Sequence, residues 1–210
     1  MKARLRAVEM LLWSAATVLL GIYACVYLER NAYQAFQMWS FNRTLQRMPA
    51  PRAVPGALRQ LEKLPPGAPI GRIEIPRLGV RAMIVNGTTA VTLRRAVGHI
   101  EGTPLFGSGG NVGLAAHRDT FFRGLRDIRR GDRIEIDTLQ GAYEYVVDAT
   151  RIVSPDDTAV LDASARPTLT LVTCYPFDYV GPAPRRFIVR AYRAAAPSDR
   201  GRLEALEFRR

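Results

Sequence analysis

Thr170-Leu171-Val172-Thr173-Cys174 is an alternating run that ends in a cysteine, and Arg186 follows that cysteine twelve positions later. The segment from Thr168 to Val172 is rich in Thr, Leu and Val, which favours a β-strand. Tyr175-Pro176 ends this strand, because proline has no N–H to donate to a sheet. A thiol at the end of a strand lies on a rigid element beside a loop that can admit a substrate. Cys174 is therefore the candidate nucleophile.

Two other side chains share this position at a strand terminus. His117 follows the apolar residues Gly113-Leu114-Ala115-Ala116, so it also ends a predicted strand. Arg186 begins the strand that follows the Cys174 loop, and pairing of the two strands would bring it back to the cysteine. His99, the second of two histidines, lacks such a context and is interpreted as a structural or rim residue.

Cysteine, histidine and arginine together fit acyl transfer. A thiolate attacks a peptide carbonyl and forms a thioacyl intermediate. A histidine protonates the leaving amine and later deprotonates an incoming one. An arginine, which stays protonated, stabilises the tetrahedral oxyanion. Each residue alone also has a plain structural interpretation: a buried small hydrophobe, a satisfied histidine and a solvated strand edge. The occurrence of all three at strand ends favours the catalytic interpretation.

The soluble part of the chain has the pattern of a mainly β protein. Seven or eight short strands with frequent turns predict a closed or sandwich-like architecture. Asn86-Gly87 is a strong turn signal, and residues 90–97 predict a short helix. The candidate strands are 71–76, 80–85, 111–116, 132–137, 143–153, 168–174 and 186–192.

The N-terminal segment predicts a membrane helix. Met10 to Leu28 is nearly all apolar and long enough to cross a bilayer. The alternative, a cleaved signal peptide, is less favoured because such apolar regions are usually shorter and no clear cleavage site follows. Apolar residues at Ala32, Phe36, Trp39 and Leu45 extend the helical spacing outward. The proline-rich residues 49–69 predict a linker with a short helix near 57–63, and residues 194–210 predict a polar tail with a helix near 203–208.

The charge of the chain limits the class of binding partner but does not determine the orientation of the membrane helix. The net charge is +11, but the arginines are scattered and no nucleic-acid-binding motif is present, so we expect no nucleic-acid partner. An anionic envelope surface is favoured instead. Three basic residues precede the span and three follow it, so charge alone does not orient the helix. The two cysteines, Cys25 and Cys174, predict no disulfide.

The motifs together resemble those of the sortases, membrane-anchored cysteine transpeptidases of bacterial envelopes. The resemblance covers about residues 69–192. The histidine and cysteine motifs look most like those of class D sortases or of the related Gram-negative enzymes, with Ala116 where many members have glycine. The matching segments are Ile70–Pro76, Gly98–Thr103, Gly109–Asn111, Ala115–Phe122, Thr170–Phe177 and Arg186–Val189.

This resemblance implies an eight-stranded sortase β-barrel behind one transmembrane helix. It implies Cys174 as nucleophile, His117 as general acid/base and Arg186 as transition-state stabiliser, with Arg185 as the alternative if the register differs by one. Thr173 and Asp119 are expected to support the site. Asp119 is expected to hold its loop by hydrogen bonds to the backbone, although a Cys-His-Asp triad is conceivable. Neither a cofactor nor a metal is expected.

The implied reaction cleaves a Leu-Pro-x-Thr-type sorting signal and transfers the acyl group to an amine, either a cell-wall peptide or a pilin lysine. The alternatives are an L,D-transpeptidase-like acyl transferase and a non-catalytic envelope-binding domain on a sortase-like barrel. The expected location is the bacterial cytoplasmic membrane, with a single span and an extracytoplasmic catalytic domain. The expected organisation is a tail and anchor (1–28), a juxtamembrane helix and linker (29–66), a catalytic domain (67–196) and a tail (197–210).

Overall fold

The computed structural model describes residues 2–47 and 64–194. Most of the predicted linker, including the short helix expected near 57–63, lies outside the described residues. The C-terminal tail from residue 195, with the helix expected near 203–208, lies outside them as well.

The domain is a closed eight-stranded barrel, as the sequence predicted. Its strands follow one another around the barrel in the order β1-β2-β3-β4-β7-β8-β6-β5, and β5 pairs again with β1. Two α-helices and three 3₁₀ turns, at Pro76–Leu78, Arg123–Asp127 and Thr158–Leu161, complete the described elements. The strands are β1 Pro69–Ile75, β2 Val80–Asn86, β3 Val97–His99, β4 Asn111–Ala115, β5 Arg133–Thr138, β6 Gly141–Val153, β7 Thr168–Tyr175 and β8 Arg185–Arg193, and the helices are α1 Lys2–Arg47 and α2 Ala90–Arg95.

Alternation along the strands fills the barrel with apolar side chains. In β7, Leu169 and Leu171 are fully buried and point inward, as do Ile134 and Ile136 in β5. Full burial of one such side chain contributes roughly 1.5–3 kcal/mol. This inward face fixes the outward direction of every second residue of β7, including Cys174.

Two strand pairs are parallel, and the turn at Asn86-Gly87 serves one of them. β2 pairs with β3 in parallel, so the chain cannot form a hairpin there. Gly87 has a φ of 85°, a value that favours glycine. The chain then enters α2, whose first turn is capped by Thr89, because its hydroxyl accepts a hydrogen bond from the Thr92 N–H at 3.2 Å.

The second half of α1 packs on the barrel where β3 is too short to cover β2. β3 begins opposite Ile84, which leaves the Met83 N–H without a strand partner on that side. The Gln34 side chain accepts a hydrogen bond from this N–H at 2.9 Å and donates to the Arg95 carbonyl at 2.7 Å. Phe41, about two helical turns after Gln34, is 6% exposed. This face of α1 therefore anchors the helix to the domain.

The helix continues beyond the apolar stretch, as the spacing of its apolar residues predicted, but those residues do not form its packed face. Phe36 and Trp39 are 63% and 57% exposed, on the outer side of the helix. The Arg43 guanidinium lies 5.1 Å from the centre of the Trp39 ring. The packed face is set by the polar Gln34, which the apolar spacing did not indicate.

Candidate active site

Cys174 lies near the end of β7, on its outer face. Because Leu169 and Leu171 face the core, the alternate residues Thr170, Val172 and Cys174 face away from it. Cys174 is a free, half-buried cysteine, and Cys25, which lies in α1, is free and exposed. The thiol is held by a strand and is still accessible from solvent.

His117 reaches the level of Cys174 through a parallel strand pair. Ala115 is opposite Val172, and the Ala116 N–H continues the ladder with a 3.2 Å hydrogen bond to the Val172 carbonyl. Two residues further along each parallel strand lie His117 and Cys174. The equal offset places both side chains past the same edge of the sheet.

Thr173 ties these two segments together. It is 2% exposed, and its hydroxyl donates a 2.7 Å hydrogen bond to the Ala116 carbonyl. This bond joins the residue before Cys174 to the residue before His117. Thr173 therefore holds the backbone beside Cys174 against the backbone beside His117.

Arg186 lies directly opposite Cys174 in the antiparallel pair of β7 and β8. Paired residues of an antiparallel ladder point to the same face, so Arg186 shares the face of the thiol. Arg185 is opposite Tyr175 and points to the other face. The Arg186 guanidinium donates to the carbonyls of Ala183 and Arg185 at 3.2 and 3.1 Å, which holds it beside the loop between β7 and β8.

Asp119 does not hold its loop as expected. It lies in an exposed turn, and its carboxylate forms no hydrogen bond with the residues that the structure describes. The loop after β4 is instead closed by the backbone, since the Phe122 N–H donates to the His117 carbonyl at 3.2 Å. The end of the loop is fixed by Asp132, which accepts two hydrogen bonds from Arg77 at 2.5 and 2.6 Å.

Two polar residues that the sequence interpretation did not identify position the loops around the thiol. Asn111 donates to the carbonyls of Val160 and Asp162, both at 3.1 Å, and so holds the loop between β6 and β7. Arg118 donates to the carbonyls of Tyr179 and Gly181 at 2.6 and 3.0 Å, which ties the loop after β4 to the loop between β7 and β8. The sequence signals for Asn111 were its place in the segment Gly109–Asn111 and at the start of an apolar strand, and neither indicated its contacts with the loop between β6 and β7.

A cavity of about 520 Å³ lies beneath the loop between β6 and β7. The outer face of β7, here Thr168 and Thr170, forms its floor, together with Ile188 and Arg190 of β8. This floor continues along β7 toward Cys174. An extended peptide lying along β7 would thus reach the thiol.

His99 and Asp132 have lowered pKa values for different reasons. Burial lowers the pKa of His99, which is 4% exposed and shares its Nε2 with the Pro104 carbonyl and the Thr103 hydroxyl at 3.0 and 3.1 Å. The burial and these contacts agree with the interpretation of His99 as a structural residue. The hydrogen bonds from Arg77 hold the pKa of Asp132 below its usual range. Among residues 2–47 and 64–194, no cluster of three metal-ligating side chains occurs.

Comparison with known proteins agrees with this geometry. A model of the sortase domain matches residues 73–194. Sortase D of Bacillus subtilis (strain 168) is 37% identical over 124 residues, which are 59% of this chain and 63% of that protein. Sortase A of Listeria monocytogenes is 29% identical over 111 residues, 51% of this chain and 50% of that protein. The chain thus spans between half and two thirds of the length of the curated relatives it matches.

Solved structures show the same barrel. A Clostridium perfringens Sortase D5 transpeptidase aligns with a TM-score of 0.65 and 27% identity, over 79% of this chain and 98% of that one. A lid mutant of Sortase A from Corynebacterium diphtheriae aligns with a TM-score of 0.59 and 30% identity, over 69% and 81% of the two chains. Since the family model covers more than half of the chain, from the second half of β1 through β8, the chain belongs to the sortase family and is class D-like.

Proposed function

We propose that this protein is a membrane-anchored cysteine transpeptidase in which Cys174, His117 and Arg186 act together. The observation that supports this most is the register of three strands. The parallel pair of β4 and β7 places His117 level with Cys174, and the antiparallel pair of β7 and β8 places Arg186 opposite the same cysteine.

In the first half of the reaction, the Cys174 thiolate attacks the carbonyl carbon of the scissile peptide bond. The carbonyl oxygen becomes an oxyanion, which the Arg186 guanidinium stabilises by charge and hydrogen bonds. The tetrahedral intermediate collapses when the C–N bond breaks and protonated His117 donates its proton to the departing amine. A thioester between the acyl group and Cys174 remains.

In the second half, an amine attacks the thioester carbonyl. Neutral His117 accepts a proton from the attacking amine, and the second tetrahedral intermediate expels the Cys174 thiolate. The product is a new amide bond, and His117 is again protonated. Water in place of the amine gives hydrolysis, so exclusion of water from the thioester favours transfer.

We propose a Leu-Pro-x-Thr-type sorting signal as the acyl donor, and a cell-wall peptide or pilin lysine as the amine. The cavity floor along β7 supports an extended donor, because a strand-like peptide can lie along β7 and reach Cys174. The first part of α1 supports the location: it is long and apolar enough to cross a membrane, with a mean hydropathy of 1.9 over its most apolar stretch. The proposed topology is a single span with the barrel outside the cytoplasm.

The test is intact-protein mass spectrometry of the full chain in lipid nanodiscs, incubated with Leu-Pro-x-Thr peptides with and without an amine. The expected result is an acyl adduct on Cys174 and an amide product. Cys174→Ala should abolish both, whereas Cys25→Ser, the matched control, should retain both. A folded protein that gives no adduct and no cleavage with any peptide would refute the proposal and favour the non-catalytic envelope-binding domain. An adduct formed only with peptidoglycan peptides would favour the L,D-transpeptidase-like alternative.

A further inference from the structure

The residues of α1 that leave the membrane contact the loop that carries His117. The apolar stretch ends at Leu28, and Glu29 and Arg30 are the first charged residues after it. The Arg30 guanidinium lies 5.9 Å from the centre of the Phe121 ring. Glu29 forms an ion pair with Arg95 at the end of α2. If the span occupies the bilayer, these contacts place Phe121 and Arg95 at the level of the lipid headgroups.

The helix α1 holds the barrel in a fixed orientation relative to the membrane span. α1 is one continuous helix from Lys2 to Arg47, so no flexible joint separates the span from the packed segment. Gln34 and Phe41 secure that segment to the barrel through the Met83 N–H and through burial. The barrel therefore cannot rotate freely about its tether, and one end of it is presented to the membrane.

The end presented is the one that carries Cys174. We call the two loops there, residues 117–130 and 175–186, the active-site rim. Arg118 joins them through its hydrogen bonds to the carbonyls of Tyr179 and Gly181. The rim contains seven arginines and three aspartates. This excess of positive charge matches an anionic headgroup layer.

The tip of the rim is apolar and exposed. Val180 is 95% exposed and Tyr179 is 46% exposed, and the Arg118 guanidinium lies 5.9 Å from the centre of the Tyr179 ring. An apolar residue beside an aromatic ring and arginines is the combination that lies in the interface of a bilayer. Water is an unfavourable environment for Val180, and nothing else in the described chain covers it.

We propose that the active-site rim docks on the anionic bilayer that holds α1, with Tyr179-Val180 inserted at headgroup depth. This inference rests on the proposed membrane topology. It adds that the active-site rim lies on the lipid surface, so that the end of the barrel with Cys174 faces the membrane. The rim arginines other than Arg186, which serves the thiol, contact lipid phosphates, and the loop between β7 and β8 is held by lipid as well as by Arg118.

The test uses full-length protein in nanodiscs, with the two native cysteines replaced as Cys25→Ser and Cys174→Ala. A fluorophore is attached to one new cysteine at Val180→Cys, at Leu20→Cys within the span or at Ser108→Cys in the loop at the other end of β4. All three positions are exposed, so labelling leaves the core intact. Lipids with a nitroxide near the headgroup or in the acyl chain then quench the fluorophores that lie in the bilayer.

The expected result is quenching at Leu20 by acyl-chain nitroxide and quenching at Val180 by headgroup-level nitroxide that is roughly twofold or more above that at Ser108, because interfacial residues lie only at the headgroup boundary. Quenching at Val180 should fall in zwitterionic lipid and at about 1 M salt, where charge interactions are screened.

Three different outcomes would contradict the docking, the contact with lipid phosphates and the membrane topology, respectively. Quenching at Leu20 with none above the Ser108 level at Val180 would overturn the docking proposal while leaving the topology intact. Equal quenching at Val180 in zwitterionic and anionic lipid would overturn the assignment of the arginines to lipid phosphates. Absence of quenching at Leu20 would refute the proposed topology, and the docking proposal with it.

Discussion

Thr173→Val tests whether one buried hydrogen bond positions the candidate catalytic residues. Valine has nearly the shape of threonine but no hydroxyl, so the change removes the 2.7 Å bond to the Ala116 carbonyl and leaves the packing in place. Loss of one partner leaves a buried acceptor unsatisfied, which costs about 1–3 kcal/mol. For a domain of this size, that lowers the melting temperature by on the order of 5 °C.

The effect on activity follows from the same bond. Without it, the segment before His117 can move relative to the segment before Cys174. Because small misplacements of reacting groups are costly, kcat/KM should fall on the order of tenfold. Peptide cleavage is measured at least 15 °C below the melting temperature of the variant, roughly three times the expected shift, so that unfolding does not contribute.

Thr173→Ser is the matched control. Serine keeps the hydroxyl and loses one methyl group, which costs about 0.8 kcal/mol of burial. Both variants should therefore melt earlier than the wild type, but only the valine variant should lose activity. Full activity of a destabilised Thr173→Val would refute the positioning argument, and an unchanged melting temperature would show that the bond contributes nothing to stability.

Three further predictions concern charge. Arg186→Lys keeps the charge but loses the planar fork, and should reduce kcat/KM on the order of a hundredfold, whereas Arg185→Lys, which faces away from the thiol, should stay within about twofold; equal losses in a cleavage assay would contradict the register argument. Since burial lowers the pKa of His99, the barrel should lose stability as pH falls below about 6.5. His99→Gln should reduce the difference between the free energies of unfolding in urea at pH 7.5 and at pH 5.5. The same difference in the wild type and the variant would contradict this prediction. Since Arg77 lowers the pKa of Asp132, Asp132→Asn should be less stable than the wild type at pH 7. The difference in melting temperature should narrow as pH falls below about 4, the ordinary aspartate pKa, because the unfolded chain then binds a proton more readily than the folded one. A difference that stays constant across this pH range would rule this out.

The sequence predicted the elements of the barrel better than their pairing. Strands such as β5 and β7 alternate strongly, so their inward faces could be identified from composition alone. Parallel pairing of β2 with β3 and of β4 with β7 has no such local signal, because it depends on crossovers that the strands themselves do not encode. The Asn86-Gly87 turn illustrates this: its glycine satisfies a positive φ, but the turn leads to α2 and not to a hairpin.

The contacts that sequence analysis missed join residues far apart in the chain. Arg118 contacts Tyr179 across 61 positions, and Asn111 contacts Val160 across 49. Arg118 lies within the histidine motif, but nothing in that motif indicates that it donates to the carbonyls of a distant loop. Gln34 was overlooked for the same reason: its partner is an N–H left free by the shortness of β3, which is visible only once the strands are paired.

The sequence alone could not decide which of Arg185 and Arg186 lies on the same face as Cys174. Strict alternation in β8 would have placed one of the two on the face of Cys174, but Ile188 and Val189 are adjacent and both apolar, so the inward face could not be identified from the sequence. In the structure Val189 belongs to the barrel core, whereas Ile188, 4% exposed, is buried on the outer face as part of the cavity floor. The ambiguity thus arises because one outward residue of β8, Ile188, is apolar and is buried beneath the loop between β6 and β7, so that burial in β8 does not follow the barrel interior alone.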